Sequence, residues 1–529
     1  MCSSEPRLRA TENPSEWRFT WEAQSHVPIL RLYLFNPNIK PAAHCAHLRV
    51  DAVFEHSLLT VSFFETECQV ETSLRVPIPR VVVDFESPVH SRTLDDHIEV
   101  KLALLLPVDH PLGSNFDSIL SSLEIEECNS ESLASDGVNE LSAATDLQRL
   151  SAAGEVNFYC RNCTTKLTRG IRVFKEMPSA NWREVADNWF GTCCCSFGGV
   201  SEKLVMNYAK SYYCTAGLCL LSTTSVIIST DDLLECELPE RNKLKKYDSE
   251  LKSDDISYLN KSMLGNENDQ QKNVCFENIC KEVQGTNKSH FVNCCALDPC
   301  EYLLGQHESV VDLELPVNQK IFLNGFLGDA FMARPSNLSK DIEWIEYFCP
   351  KCSCLLGAYP SHNDRVPLDG GVRLYKFYIS TSFPANGAYD LFRNYSFERM
   401  FTSQLLESAK DELSFRTVVR DLHNKCHSLQ IVLLNPNAWS YAGFCLHALE
   451  PAPKINVYPV IKVLFSANNN DVQLETRSIE EWVTKKQAQE VYLLPSQIKE
   501  LIASLKTAHI TYPQSHNFSQ GFSVSSLKT

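Results

Sequence analysis

NFYCRNCTTK, residues 157–166, and EYFCPKCSCLL, residues 346–356, are the two stretches whose reading decides how this chain folds. Each carries a C-x-x-C pair, Cys160 with Cys163 and Cys349 with Cys352. Two residues between thiols allow a tight turn to bring both sulfurs to one metal. Four such sulfurs complete a tetrahedral zinc site. A redox pair is disfavoured, because neither motif opens a helix in a βαβ unit. Nearly the whole middle of the chain separates the pairs, so spacing alone leaves open whether they share a metal. Cys354, beside the second pair, is read as a packing residue.

The surroundings set limits on the chemistry. The 529 residues contain 49 Lys and Arg against 65 Asp and Glu, a net charge of −16. Such a chain repels phosphate backbones, which excludes a general nucleic-acid binder; the single short basic run is Lys243 to Lys246. The longest apolar runs, Leu102 to Pro107 and Ala216 to Ile228, fall short of the roughly 20 residues a membrane span needs, so no membrane partner is expected. The opening MCSSEPRLRATENPSEWRF lacks the apolar core of a secretory signal, which predicts a cytoplasmic or nuclear protein. In that reducing setting the 22 cysteines are buried residues, metal ligands or reactive thiols, and not a disulfide framework.

Working outward, the expected fold class is α+β: a β-rich N-terminal domain, then a zinc-stapled mixed α/β region with a flexible polar insertion. Residues 1–107 form the first domain, with strands expected at 28–35, 47–54, 58–63, 70–77, 81–85 and 98–106. Residues 108–155, rich in Ser, Ala, Asp and Glu, read as a linker with marginal helix. Residues 156–230 hold the first C-x-x-C and a Trp–Cys loop. The stretch 231–300 includes NKLKKYDSELKSDD and GNENDQQKN and cannot bury enough apolar surface to order itself, so it reads as a flexible insertion. Residues 301–529 hold the second C-x-x-C and an α/β region. Strands are expected there at 372–380, 413–419, 428–434 and 457–465. Helices are expected at 399–412, from Ser478 through Gln489, and from Pro495 with Ile498, Leu501, Ile502 and Leu505 at helical spacing.

Between the cysteine pairs, Trp182 and Trp189 lie seven residues apart, on one face of a helix if Ser179 caps it, and Cys193, Cys194 and Cys195 follow on a loop. Three adjacent cysteines cannot all face inward, so at least one is expected to be accessible. That makes this loop a candidate partner-binding element. The chain shows no H-E-x-x-H, G-x-S-x-G, Walker A or dinucleotide fingerprint.

The order YCRNC, MPSANW, a second Trp with cysteines, NGFLGDAFM (Asn324 to Met332), CPKC and LYKFYIS resembles the HECT-like ubiquitin-conjugating-enzyme-binding family. The resemblance runs nearly end to end; the polar stretch 231–300 departs from it. It implies that all four cysteines share one structural zinc. It also implies a ubiquitin-conjugating enzyme as partner, with ubiquitin passed to substrates in a HECT-like manner, and makes 301–529 a HECT-like region. That transfer would need a cysteine nucleophile. Cys426, between His423 and His427, is the most suggestive candidate by local chemistry, although it opens an expected strand and reads more readily as an ordinary strand-edge cysteine. No Thr-Cys step occurs in the C-terminal half, so the residues themselves identify no catalytic group.

A second role implied by the resemblance is binding and inhibition of the metallo-β-lactamase-type endonuclease of messenger-RNA 3′-end processing. In that role a thiolate from the Cys193–Cys195 loop, Cys194 by preference, would occupy the nuclease's zinc.

Overall fold

The strand expected to end at Leu434 runs on through Asn435-Pro436-Asn437 to Phe444 in the computed structural model of the chain. The structure describes residues 16–66, 71–111, 141–177, 214–235, 330–335, 338, 342–362, 365–385, 387, 389–447, 450–467, 480–485 and 488–529. The N-terminal strands are β1 (Arg18–Gln24), β2 (Ile29–Phe35), β3 (Cys45–Val53), β4 (Leu58–Glu65), β5 (Glu71–Pro77), β6 (His90–Thr93) and β7 (Ile98–Ala103). The middle ones are β8 (Tyr159–Cys160), β9 (Val173–Glu176), β10 (Leu218–Leu221), β11 (Ser225–Ser229), β12 (Glu343–Phe348), β13 (Leu355–Ser361), β14 (Gly371–Tyr375) and β15 (Ile379–Ser380). The last are β16 (Arg416–Asp421), β17 (His427–Phe444), β18 (Tyr458–Ala467), β19 (Gln489–Leu493), β20 (Phe518–Ser519) and β21 (Phe522–Lys528).

The long strand β17 organises the largest sheet, ordered β20-β21-β18-β17-β1-β2-β7-β6. One edge of β17 pairs with β18 along most of its length. Its other edge is shared: the first half pairs with β16 and the second with β1, from Gln24↔Ala438 to Arg18↔Phe444. The register against β18 shifts between Leu433 and Asn435 and again between Asn435 and Ala438. Pro436, which has no N–H to give a ladder, falls in that irregular stretch, and Asn435 Oδ1 accepts the Asn437 N–H at 2.8 Å. The turn chemistry of Asn-Pro-Asn is therefore used for a bulge within a continuing strand.

The sheet consequently draws strands from both ends of the chain. Strand β1, for which no strand was expected, lies between β2 and the C-terminal β17. It is buried on both faces. Phe19, Trp21 and Ala23 join Leu30, Leu32 and Leu34 of β2 in a core closed by β4 and β5, and Trp21 Nε1 donates to the Pro77 carbonyl at 2.8 Å. On the opposite face Glu22 accepts from Lys462 Nζ at 2.8 Å, and Lys462 stands over the Tyr512 ring at 5.0 Å. A carboxylate so deep in a sheet persists because it is paired.

Two further expectations change. Residues 81–85 contribute only an isolated bridge, Val83↔Leu104. Gln489, expected to end a helix, starts β19, which pairs parallel with β16. The helix 480–485 stops before it, so the Ser478-initiated helix is short among the described residues. The helices Phe397–Asp411, capped by the Ser396 side chain, and Pro495–His509 lie where periodicity places them. No described helix is long and apolar enough to cross a membrane.

The second sheet, β12-β13-β14-β11-β10-β9, carries the hairpin of Cys349 and Cys352, while β8, which ends at Cys160, pairs with β15 in a separate two-stranded ladder. Against β9 and β10 lies the helix Ala143–Ala153, in the part of the chain that reads as a linker. The fold is thus mixed α+β, with a β-rich N-terminal region and a later α/β region that contains a four-cysteine cluster.

Where the C-terminal segment crosses the N-terminal strands, His516 packs edge-on to Tyr33 at 4.8 Å and lies 5.0 Å from His97. Burial first, then the neighbouring His97 and Lys462, hold the His516 imidazole below its ordinary pKa of 6.5, against the opposing pull of Glu22 and Asp96. The folded state therefore resists a proton that the unfolded chain accepts. This contribution is complete above about pH 6.5 and is lost as the pH falls from there toward the depressed folded value. Thermal unfolding followed from pH 7.5 to 5.5 is expected to show a falling midpoint, and His516→Gln is expected to flatten that slope.

Candidate metal centre

Cys160 ends β8, and Cys349 directly follows β12 at the tip of the β12–β13 hairpin. Both pairs fold into the same turn. The Cys160 N–H donates to the Thr165 carbonyl at 2.8 Å, and the Thr164 N–H returns to the Cys160 carbonyl at 2.9 Å. In the second pair the Cys349 N–H donates to Cys354 O at 2.8 Å, and the Ser353 N–H to Cys349 O at 2.9 Å. The fifth residue of each turn takes a left-handed backbone, φ 59° at Thr164 and 56° at Ser353. Such values are uncommon outside glycine, and more so for a β-branched threonine. Their recurrence at matching positions shows two copies of one turn, with the geometry a chelating pair needs.

The two turns face each other. All four Sγ atoms lie within 4.8 Å of one another. Cys160 and Cys352 are 3.7 Å apart, and Cys163 and Cys349 3.6 Å. Disulfides would require about 2.05 Å. A zinc ion with four sulfurs at about 2.3 Å has a tetrahedral edge of about 3.8 Å, so the pocket between the thiols has zinc's dimensions. Burial pushes the Cys160 and Cys349 thiols upward. At Cys352 burial is outweighed by hydrogen bonds from the Cys354 backbone, Asn162 and the neighbouring thiols, which draw it down to about 6. Four thiolates this close repel unless a cation lies among them. Cys354 stands outside the cluster, and its carbonyl closes the second turn.

The first turn is anchored by a residue the sequence reading passed over. Arg161 NH1 donates to the Tyr395 carbonyl at 2.6 Å, and NH2 to those of Phe392 at 2.7 Å and Lys376 at 3.3 Å. Asp390, buried beside it, lies 3.8 Å away. Behind this layer the fully buried Lys376 Nζ donates to Asp146 Oδ2 at 2.6 Å, and the Tyr395 hydroxyl donates to the same oxygen at 2.5 Å. Lys376 also faces the rings of Phe392 and Tyr395. The signal in the sequence was a lysine set between Tyr375 and Phe377 in an apolar strand; nothing marked Asp146 as its partner.

The other expected site residues divide. Trp182, Trp189, Cys193, Cys194 and Cys195 lie outside the described residues, as does Phe326-Leu327-Gly328-Asp329. Phe331, next in that motif, is buried against Tyr375, Phe377 and Phe397. Cys426 is exposed in the turn before β17, and its N–H is capped by Asn424 Oδ1 at 2.8 Å. The nearby His423 is held by the Trp344 carbonyl, 2.7 Å from its Nε2. Among the described cysteines outside the cluster, Cys45, Cys214 and Cys445 are buried thiols pushed up to about 12, and Cys219 is fully buried and raised further.

Comparison with known proteins agrees with this layout. The model of a family described as HECT-like ubiquitin-conjugating enzyme (E2)-binding matches residues 62–524, a span that takes in both chelating turns. No curated protein and no solved structure matches the chain.

Proposed function

The chain belongs to the HECT-like ubiquitin-conjugating enzyme (E2)-binding family, and on that premise we propose that it is a ubiquitin-protein ligase that works by holding a charged conjugating enzyme beside a substrate. The family match over most of the chain is the observation that carries this reading. In it, a substrate amine attacks the thioester carbonyl that joins ubiquitin to the conjugating enzyme. An amide forms, the enzyme's thiolate leaves, and the amine's proton passes to solvent. The ligase lowers the barrier by proximity and orientation.

Direct transfer asks for no thiol on the ligase itself. A relay needs an accessible, activated cysteine. Cys426 is the one exposed cysteine among those described, and the nearby His423 is engaged elsewhere. The four clustered cysteines are assigned to one structural zinc, whose chemistry is that of a closed four-thiolate site with no position left for substrate. Cys160, Cys163, Cys349 and Cys352 would hold it, and the protein gains the tie between two distant segments.

Incubation with charged conjugating enzymes tests the route. The expected result is stimulated discharge of ubiquitin onto lysine, with no reductant-sensitive ubiquitin adduct on the ligase. An adduct abolished by a single substitution such as Cys426→Ser would overturn direct transfer in favour of a relay.

A further inference from the structure

The two cysteine turns correspond position by position, and at the sixth the first has Thr165 and the second Cys354. Their backbones agree there. The Thr165 carbonyl accepts the Cys160 N–H at 2.8 Å, and the Cys354 carbonyl accepts the Cys349 N–H at 2.8 Å. Each sixth side chain also meets the second cysteine of its own pair. In the first turn the Cys163 thiol donates to Thr165 Oγ1 at 3.2 Å. In the second the Cys354 thiol hydrogen-bonds to Cys352. A hydroxyl at that place braces the sulfur beside it and can do no more. A thiol at the same place can also form a covalent bond to it.

Access and backbone geometry favour that bond. Cys160 and Cys349 are buried, whereas Cys163, Cys352 and Cys354 are half-buried, so a small solute reaches Cys352 and Cys354 from solvent. Cys354 is not among the four cysteines whose sulfurs lie within 4.8 Å of one another, so a metal held by those four leaves its thiol uncoordinated. Between the two cysteines, Ser353 has φ 56°. A left-handed residue folds the chain back instead of extending it, which brings the flanking Cα atoms toward the separation of about 4.4–6.8 Å that a disulfide spans.

We propose that Cys352 and Cys354 are a redox pair through which a hydroperoxide opens the metal centre, an inference that goes beyond the ligase reading and rests on the zinc assignment above. The Cys352 thiolate attacks the peroxide. An S–O bond forms, the O–O bond breaks and hydroxide leaves, so the sulfur is oxidised to a sulfenic acid as the peroxide is reduced. Cys354 gives its proton to that hydroxide, making water, and its sulfur attacks the Cys352 sulfur. The S–S bond forms, the S–O bond breaks and a second hydroxide leaves. Cys160 Sγ also lies near, 3.7 Å from Cys352, but it is held as a ligand while Cys354 is not. The disulfide takes one thiolate from the shell, and Cys160, Cys163 and Cys349 alone hold zinc less tightly. A thiol reductant restores Cys352 and with it the fourth ligand.

The test treats the full-length, zinc-loaded protein with hydrogen peroxide, follows free zinc with a colorimetric chelator and maps cysteine linkages by mass spectrometry of alkylated peptides. Wild type is expected to release its zinc as a Cys352–Cys354 disulfide appears, and to rebind zinc after dithiothreitol. Cys354→Thr, which copies the first turn, is expected to bind zinc as wild type does before oxidation. After oxidation its recovery by dithiothreitol is expected to fall at least tenfold, because Cys352 proceeds to a sulfinic acid that this reductant does not reverse. Adding Thr165→Cys to Cys354→Thr is expected to restore recovery, with the disulfide now in the first turn. Should Cys354→Thr fail to hold zinc, the linkage map of the oxidised wild type decides. Zinc released while Cys354 stays a free thiol, zinc retained after the disulfide forms, or a disulfide from Cys352 to another ligand overturns the pair and leaves the zinc assignment standing. So does equal recovery in wild type and a zinc-bound Cys354→Thr. A wild type that carries no zinc overturns the assignment and the pair together.

Discussion

Replacing Cys349 with Ser is expected to remove the metal and with it the tie between residues near 160 and those near 350, lowering stability by more than about 4 kcal/mol, the range reached when a structural metal is lost. Cys349 is 2% exposed, so its thiol is lost from the buried side of the cluster. Cys160→Ser, on the other turn, is expected to have the same effect, because each turn supplies two of the four clustered sulfurs. The double variant should then cost little more than either single, since the shared site is already lost. Urea unfolding of the four proteins, with zinc content measured on each, checks this. Two independent sites would instead give additive losses and leave half of the metal in each single variant.

Lys376→Ala is expected to cost about 3–5 kcal/mol, because it leaves the Asp146 carboxylate buried without its cation. Asp146 is 4% exposed and Lys376 0%, so solvent cannot take the partner's place. The pair joins the helix Ala143–Ala153 to the segment after β14. Replacing both residues with apolar ones, Lys376→Met with Asp146→Leu, is expected to recover most of the loss, although the Tyr395 hydroxyl then lacks its acceptor. The Lys376 carbonyl also receives Arg161, so the single variant should release zinc faster to a chelator than wild type does. A single variant as stable as wild type would show that the pair is solvated in solution. Equal zinc release from both would show that the layer behind Arg161 does not brace the chelating turn.

The chemistry of this chain was more legible in its sequence than its topology. The two C-x-x-C pairs announce a thiolate site because the spacing itself encodes the turn, and the matching Thr164 and Ser353 backbones show that turn in both places. Amphipathic helices such as Phe397–Asp411 were legible because a period of 3.6 survives in a single sequence. Strand pairing did not survive in the same way. Nothing local to Arg18–Gln24 says that its partner lies beyond residue 437, and Asn435-Pro436-Asn437 has the composition of a turn because bulges and turns use the same residues. Gln489 was drawn into a helix by the polar run before it, whereas parallel pairing with β16, a tertiary contact, makes it a strand. Arg161 and Asp390 were illegible for a related reason. An arginine inside a C-x-x-C turn reads as a solvated charge until the carbonyls that receive it come from more than 200 residues away.

X-ray absorption at the zinc edge of the purified full-length protein examines the four-cysteine centre most directly. The result predicted is one zinc per chain with four sulfur neighbours at about 2.3 Å and no nitrogen or oxygen in the shell. A shell containing water or histidine, or a chain that purifies folded and without zinc, would contradict a closed site that staples two halves of the α/β region together.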